Sequence, residues 1–563
     1  MGRWKVATST EDALREAVSV DHLRRHNAEI AKGVRLSGSA DEAEAFAYIA
    51  AQCRSYGMAV EQYAIDAYVS LPGAASLSVV MPERREIESI THSASAATGA
   101  EGLDGQLVYA GAGLAADYAL VDVRGKIALV DGLAAPPKAF AADDAGVLGI
   151  VCINPPEFHE MTVSPVWGTP TLETASRLPK VVAISVRKDD GDELKALLER
   201  GSVTVRITAD VDTGWRSIPT LTAEFPGTAE DRYILFSGHV DSWHHGAMDN
   251  ASANATMLEI GRVLSEHRSE LRRGLRLAFW SGHSHARYAS SAWYADNFWL
   301  DLRDHCVCHI NSESTGAVGA DLLVAAGMAE TWQFAAGPIR DVAGQELRYQ
   351  RMGRSHDQSF TGVGIPSVLC GLAAQPGGGL GWWHHTTDDT LDKIDPVNLV
   401  RDTQIYLLTC WRLCTLSTLP FNFAETAREL RDRLRALEES AGSRFDLTPL
   451  ITEADAFHAA AERLNRAISE AGDAAARTEQ LNTTIMAVSH ALIPVNYTKA
   501  GPYEVDLALA NPVLPGLAAV ASLGDMEATG DDAGFLCTRL IRERNRVWHA
   551  LATARREIER ALI

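Results

Sequence analysis

Residues 232–252 read RYILFSGHVDSWHHGAMDNAS. The segment opens as an apolar run of the length of a buried strand and ends on His239. Within the next thirteen residues come Asp241, Trp243, His244, His245 and Asp249. A chain that crowds ligand-type side chains just past a buried strand is placing them where open α/β sheets bind their ligands, beyond the carboxyl ends of the strands. The helix-periodic stretch 250–267 follows, and strand-like and helix-like stretches alternate on to about residue 420. That alternation predicts an α/β fold, a mixed and largely parallel sheet with helices on both faces.

Three more clusters fall at predicted strand ends or in the loops after them. They are His283 with His285 after LRLAFWSG, Glu313 in VCHINSES, and His384 with His385 in GWWHHTTDDTLDKID. A single histidine at a strand end is more often structural than functional. Four such clusters on one sheet point instead to a metal site. Imidazole and carboxylate together suit zinc first, and also iron, nickel, cobalt or manganese. A carboxylate bridging two ions would permit two-metal hydrolysis. The expectation is one or two divalent transition metals per chain. DDTLDKID also reads as a helix cap, and Trp243, Trp382 and Trp383 read equally as pocket wall or as core.

Outward from this centre the pattern changes twice. Residues 86–214 hold short β-rich pieces between Gly and Pro turns, and 421–563 are mainly helical. The predicted organisation is 1–85 with 215–420 as the catalytic unit, 86–214 as a β-rich insert, and 421–563 as a helical domain. The 563 residues are too many for one compact core. A net charge of −21 argues against nucleic acid or an anionic membrane as partner. The N-terminus lacks an apolar signal region, and no run approaches eighteen apolar residues, so neither a signal peptide nor a span is expected. Cys306, Cys308, Cys410 and Cys414 do not space as a closed zinc site, and buried thiols in a cytoplasmic protein are the reading.

At these residues the chain resembles the zinc aminopeptidase, glutamate carboxypeptidase and transferrin receptor family, family 28 of the metallopeptidases. GHVDSWHHGAMDNASANA resembles its metal-binding stretch, HHTTDDTLDKID its final histidine motif, and GRSHDQSFTGVGIPSV its S-D-H segment with the His and Asp order exchanged. RLSGSADEAEAFAYIAAQCRSYGM resembles the N-terminal helix, 86–214 a protease-associated insert, and LIPVNYTKAGPYEVDLALANPVLPGL the transferrin-receptor-type dimerisation domain. The resemblance implies that His239, Asp249 and Glu313 hold one metal and that Asp249 bridges to a second, shared with His385. It implies that Asp241 orients His239 from behind, and that the protein is a homodimer.

One motif departs from the family. FWSGHSHARYASSAWYADNF aligns without a gap on a segment where the family carries a Glu-Glu pair, general base then ligand. Here those positions are His283 and Ser284. Two readings follow. In one the site is rebuilt: His283 transfers the proton, since an imidazole titrates near 6.5, and His285 completes the second metal, with His244, His245 and His384 nearby. In the other the site is dead and the protein is a binding or scaffold dimer. The favoured expectation is a metal-dependent hydrolase acting on an amide or peptide bond of a small molecule or short peptide. A lyase cleaving a C–N or C–S bond by elimination is the alternative.

Overall fold

The computed structural model describes residues 9–472, 474–527 and 530–563. The first eight residues of the N-terminal stretch read above lie outside that description.

Eleven strands frame the sheet. They are β1 (Ala59–Met81), β2 (Leu103–Tyr109), β3 (Ile127–Asp131), β4 (Gly149–Ile153), β5 (Val182–Val186), β6 (Val203–Phe225), β7 (Tyr233–His239), β8 (Gly274–Trp280), β9 (Cys306–Asn311), β10 (Leu322–Gly327) and β11 (Ser367–Cys370). One end of the sheet runs β10-β11-β9-β7-β8-β6. β7 pairs parallel with β8 and β9, β9 parallel with β11, and only β6 and β10 run against their neighbours. The fold class is therefore as expected, a mixed and largely parallel sheet. Every residue of β7 and β9 is buried, the mark of strands covered on both faces.

The sheet continues past β6 through the parallel series β2-β3-β4-β5 of the insert. The join is a surprise in length. MAVEQYAI and VTVRITAD read as short strands, yet β1 and β6 are 23 residues each. They pair antiparallel from Ala59↔Glu224 to Met81↔Thr204, with a register shift between Pro72 and Ala75. Pro72-Gly73 is the kind of dipeptide that often ends a strand. It marks a bulge instead, because the pairing on either side outweighs one irregular step.

Four helices matter to the site: α1 (Ala40–Ser55), α2 (Ala253–Ser265), α3 (Ala289–Asn297) and α4 (Pro396–Thr415). Ser39 caps α1 through its side chain, as its position before the acidic first turn implies. The stretch 250–267 was expected to be amphipathic. α2 is instead buried all along its first nine residues, because it lies under the sheet against α4 and the N-terminal helices. The helices α5 (Phe423–Ala441), α6 (Thr448–Glu470), α7 (Ala475–Tyr497) and α8 (Asp531–Ala561) follow. Their Leu430, Leu464, Leu492 and Leu551 share one continuous core with Phe236, Leu277 and Tyr406 of the sheet layer. No described helix is long and apolar enough to cross a membrane.

Candidate metal centre

β7, β8 and β9 run parallel, so the loops that follow them emerge on one side of the sheet. His239 ends β7, buried. Its Nε2 faces Asp249 Oδ1 at 3.1 Å and Glu313 Oε1 at 3.0 Å. The other oxygen of Asp249 faces His385 Nε2 at 3.0 Å and His384 Nε2 at 3.5 Å. Asp249 thus stands between two imidazole clusters, one oxygen to each. The candidate donor atoms form two groups, His239 with His283 and Glu313, and Asp249 with His384 and His385; within each the atoms lie inside 4.8 Å of one another.

The electrostatics fit a site built for cations. Burial alone would push His239 down, yet the charge of Glu313 and hydrogen bonds to Asp241, Asp249 and Glu313 hold it well above the usual imidazole range. Burial would raise Asp249 and Glu313, and the facing imidazoles hold both below the usual carboxylate range. His385 is pushed down to about 4 by burial and by the charge of His384, so it is neutral with a lone pair to give. Its Nδ1 donates to the Glu160 carbonyl oxygen at 2.8 Å, so the Nε2 lone pair stands beside Asp249 Oδ2, open to a cation. Buried carboxylates and imidazoles that crowd one another without a cation are a costly arrangement, and one divalent ion per group would relieve it.

Asp241 behaves differently from the role implied for it. His239 Nδ1 bonds to the backbone oxygen of Asp241 at 2.9 Å, and the carboxylate is 3.7 Å away. That carboxylate accepts the backbone N–H of His283 at 3.1 Å, the N–H of Ser284 at 2.9 Å and the Ser37 hydroxyl at 2.9 Å. It fixes the loop after β8 to the loop after β7.

The two histidines of the β8 loop part company. His283 lies with the donors, stacked on His239 at 3.8 Å between centroids, and its Nδ1 is 2.6 Å from Asp357 Oδ2. Asp357 is buried and also accepts from Ser291 Oγ at 3.0 Å. His285 turns away. It is fully buried, its Nδ1 meets Ser37 Oγ at 3.0 Å, and its ring meets the edge of Trp243 at 4.5 Å. His285 is in neither donor group, and His384 stands where it was looked for. His244 is half-buried, and exposed His245 bonds to the Ala31 carbonyl oxygen at 3.2 Å. Trp243 and Trp383 are buried, whereas Trp382 is 52% exposed. All eight cysteines are free, and none joins either donor group.

Two residues that the sequence reading did not single out support the centre. Asp357 sits in the SHDQSF segment, where only the exchanged order hinted at it. Asp389, inside the stretch read as a helix cap, accepts the N–H groups of Met248 at 2.8 Å and Asp249 at 3.0 Å. Burial and the charge of Asp249 raise it to about 6. Backbone strain collects here too. Arg287, Tyr288, Ser314, His356, Asp357 and His385 all have positive φ, and each costs roughly 1–3 kcal/mol that the surrounding packing must offset.

Residues 220–409 match the model of peptidase family M28. A probable glutamate carboxypeptidase (VP8) of Zea mays is 23% identical, the match covering 72% of this chain and 68% of that one. Aminopeptidase YwaD of Bacillus subtilis is 28% identical, over 41% of this chain and 48% of its own length. Among solved structures, an aminopeptidase from Aneurinibacillus sp. strain AM-1 superposes with a TM-score of 0.56 at 24% identity, covering 72% of this chain and 96% of that one. A zinc aminopeptidase from Bacillus subtilis gives 0.54 at 21% identity over 70% of this chain and 95% of its own. These two superpositions speak for the fold. Residues 220–409, the part that matches the peptidase family M28 model, hold every donor of both groups.

Proposed function

We propose that the chain is a metal-dependent hydrolase of the aminopeptidase and carboxypeptidase type, acting on an amide or peptide bond of a small molecule or short peptide through a histidine-rich centre. The observation that carries this reading is Asp249, one oxygen toward His239 and the other toward His385, which is the placement a bridging carboxylate needs. His239, Glu313 and Asp249 would hold one divalent ion, zinc being the first choice. Asp249, His385 and His384 would hold a second, with His384 in the place first given to His285. Ions so held supply Lewis-acid polarisation of the carbonyl and activation of water.

The chain's own residues supply the proton transfer. His283 replaces the missing carboxylate base. With Nδ1 held by Asp357, its Nε2 is the nitrogen left to take the proton of the attacking water and return it to the leaving amine. Asp357 fixes the tautomer and supports the imidazolium that forms, and Ser291 holds Asp357. Asp389 holds the backbone at Asp249, so the bridging carboxylate keeps its orientation. The regions 86–214 and 421–563 are taken as a protease-associated insert and a dimerisation domain. Exposed Phe535, Ile541 and Trp548 on α8 are consistent with a partner surface there.

Elemental analysis of protein purified without chelator, with a screen of amides and dipeptides, tests the reading. Stoichiometric metal and turnover are expected. Protein that takes up none of zinc, iron, nickel, cobalt or manganese would overturn it.

A further inference from the structure

The two donor groups differ in what holds them. His239 and Glu313 are held from within the sheet unit. His239 Nδ1 donates to the Asp241 carbonyl oxygen at 2.9 Å, and Asn311 Nδ2 donates to Glu313 Oε2 at 3.3 Å. His384 and His385 are held from outside it, by the loop that follows β4 in the insert. His385 Nδ1 donates to the Glu160 carbonyl oxygen, and the Glu160 N–H donates back to the His385 carbonyl oxygen at 2.9 Å. His159 Nδ1 donates to the His384 carbonyl oxygen at 2.7 Å, a direction fixed by the carbonyl, which can only accept. Met161 Sδ lies 3.4 Å from the same His385 nitrogen. Consecutive residues of the insert, 159 to 161, thus grip two consecutive donors.

The carbonyls of the 381–389 turn show the dependence. The oxygens of Gly381, Trp383 and Thr386 accept from the N–H groups of His384, Thr386 and Asp389, all in the same turn. The oxygens of His384 and His385 take their donors from the insert instead. A carbonyl shielded from water needs a donor, so the turn keeps this shape against the insert. His385 itself sits at a φ of 64°, a left-handed conformation that only its surroundings can hold. His159 is buried, and its Nε2 has no hydrogen-bond partner. A bare buried nitrogen is a cost, and the one bond this ring makes is to the ligand turn. The gripping loop is stiff. Pro155 and Pro156 begin it and Pro165 ends it, each with its φ fixed. Ser93 braces it, its N–H donating to the Met161 oxygen at 3.0 Å and its oxygen accepting from Val163 at 2.9 Å.

We propose that His159 is a positioning residue and that the insert builds the second donor group. His159 and the Glu160 backbone set His384 and His385 around Asp249, so filling of that group and docking of the 154–165 loop are coupled. Such coupling is reciprocal: the factor by which the docked loop raises affinity for the ion is the factor by which the ion favours the docked loop. The first group, held within the sheet unit, stands outside the coupling. That the groups take ions rests on the proposed hydrolase reading; the grip of the loop does not.

The test is chelator competition with zinc alone on the full chain, which reads the two affinities separately. His159→Phe keeps a ring and removes the donor. One zinc affinity is expected to fall about 10–100-fold and the other to stay nearly unchanged. His159→Asn, whose Nδ2 takes the place of the imidazole Nδ1, should recover most of the loss, a rescue that mere space-filling would not give. In His384→Ala, which leaves the first group alone, adding His159→Phe should not weaken the remaining zinc. Hydrogen exchange over 154–165 reads the reverse direction. Zinc should slow it in the unaltered protein and not in His384→Ala. Two unaltered affinities in His159→Phe, an equal fall in both, an Asn variant no better than Phe, or loop exchange indifferent to zinc would each overturn the proposal. If His159→Phe does not fold, the exchange measurement decides. A chain that takes a single zinc overturns it and leaves the hydrolase reading standing. Intact coupling without turnover on any amide or dipeptide supports it and sinks that reading instead.

Discussion

The loops after β7 and β8 leave adjacent parallel strands, and both are rich in histidine. The β7 loop keeps His239 and Asp249, and its functional side chains converge on one point. The β8 loop carries His283 and Ser284 where the resemblance implies two carboxylates, and its two histidines diverge: His283 goes to the donors and Asp357, His285 to Ser37 and Trp243. Asp241 joins the loops by accepting two backbone N–H groups of the second. Loop composition alone therefore says little about role. What assigns a histidine its role is the backbone hydrogen bonding that turns it toward the donors or away.

The bridging carboxylate gives the largest expected effect. Asp249→Ala should remove a ligand from both groups, and elemental analysis should find both metals lost and turnover abolished. His384→Ala should shed about one metal per chain and leave the other, because it belongs to only one group. If His384→Ala keeps full metal while His285→Ala loses it, the divergence of the β8 loop is misread.

His283→Ala against His285→Ala comes next. His283→Ala should lower kcat by about 10²–10⁴-fold with metal content intact. His285→Ala should change kcat less than about tenfold and act mainly on stability. Metal loss in His283→Ala would make it a ligand instead of a base, since its ring stands among the donors of the first group.

Asp241→Asn tests the tie between the loops. An amide cannot accept through both side-chain atoms, so one buried N–H loses its partner, and a thermal melt should show about 1–3 kcal/mol of destabilisation. Turnover should fall with it, because His283 is placed through that backbone.

The smallest effect is a control remote from both loops. Glu330 is buried with no facing imidazole. Its Oε2 accepts from Thr426 at 2.6 Å, its Oε1 has no hydrogen-bond partner, and burial pushes it up to about 7 from an ordinary 4.5. Between those two values the folded chain holds a proton that the unfolded chain releases, so Glu330 costs stability as pH rises through that window. Glu330→Gln should therefore be neutral near pH 4 and stabilising at pH 8, on the order of 2 kcal/mol in denaturant melts. A gain at pH 4 as large as at pH 8 would contradict this. Asp249 and Glu313 show the opposite shift at similar burial, because imidazoles face them.

The sequence by itself determined the alternation that makes the sheet, the strand that ends on His239, and the clustering of Asp249, Glu313, His384 and His385 at one side. Those follow from local pattern: apolar runs, cap residues, and ligand-type side chains just past strands. The lengths of β1 and β6, the turning away of His285, the shift of Asp241 from one histidine to a neighbouring backbone, and the entry of Asp357 and Asp389 were decided only by the tertiary structure. Each depends on a hydrogen bond between residues far apart in the chain, such as Asp241 to Ser284 or Asp389 to Asp249. A buried backbone N–H must find an acceptor wherever packing places one, and no spacing along the sequence records which one that will be.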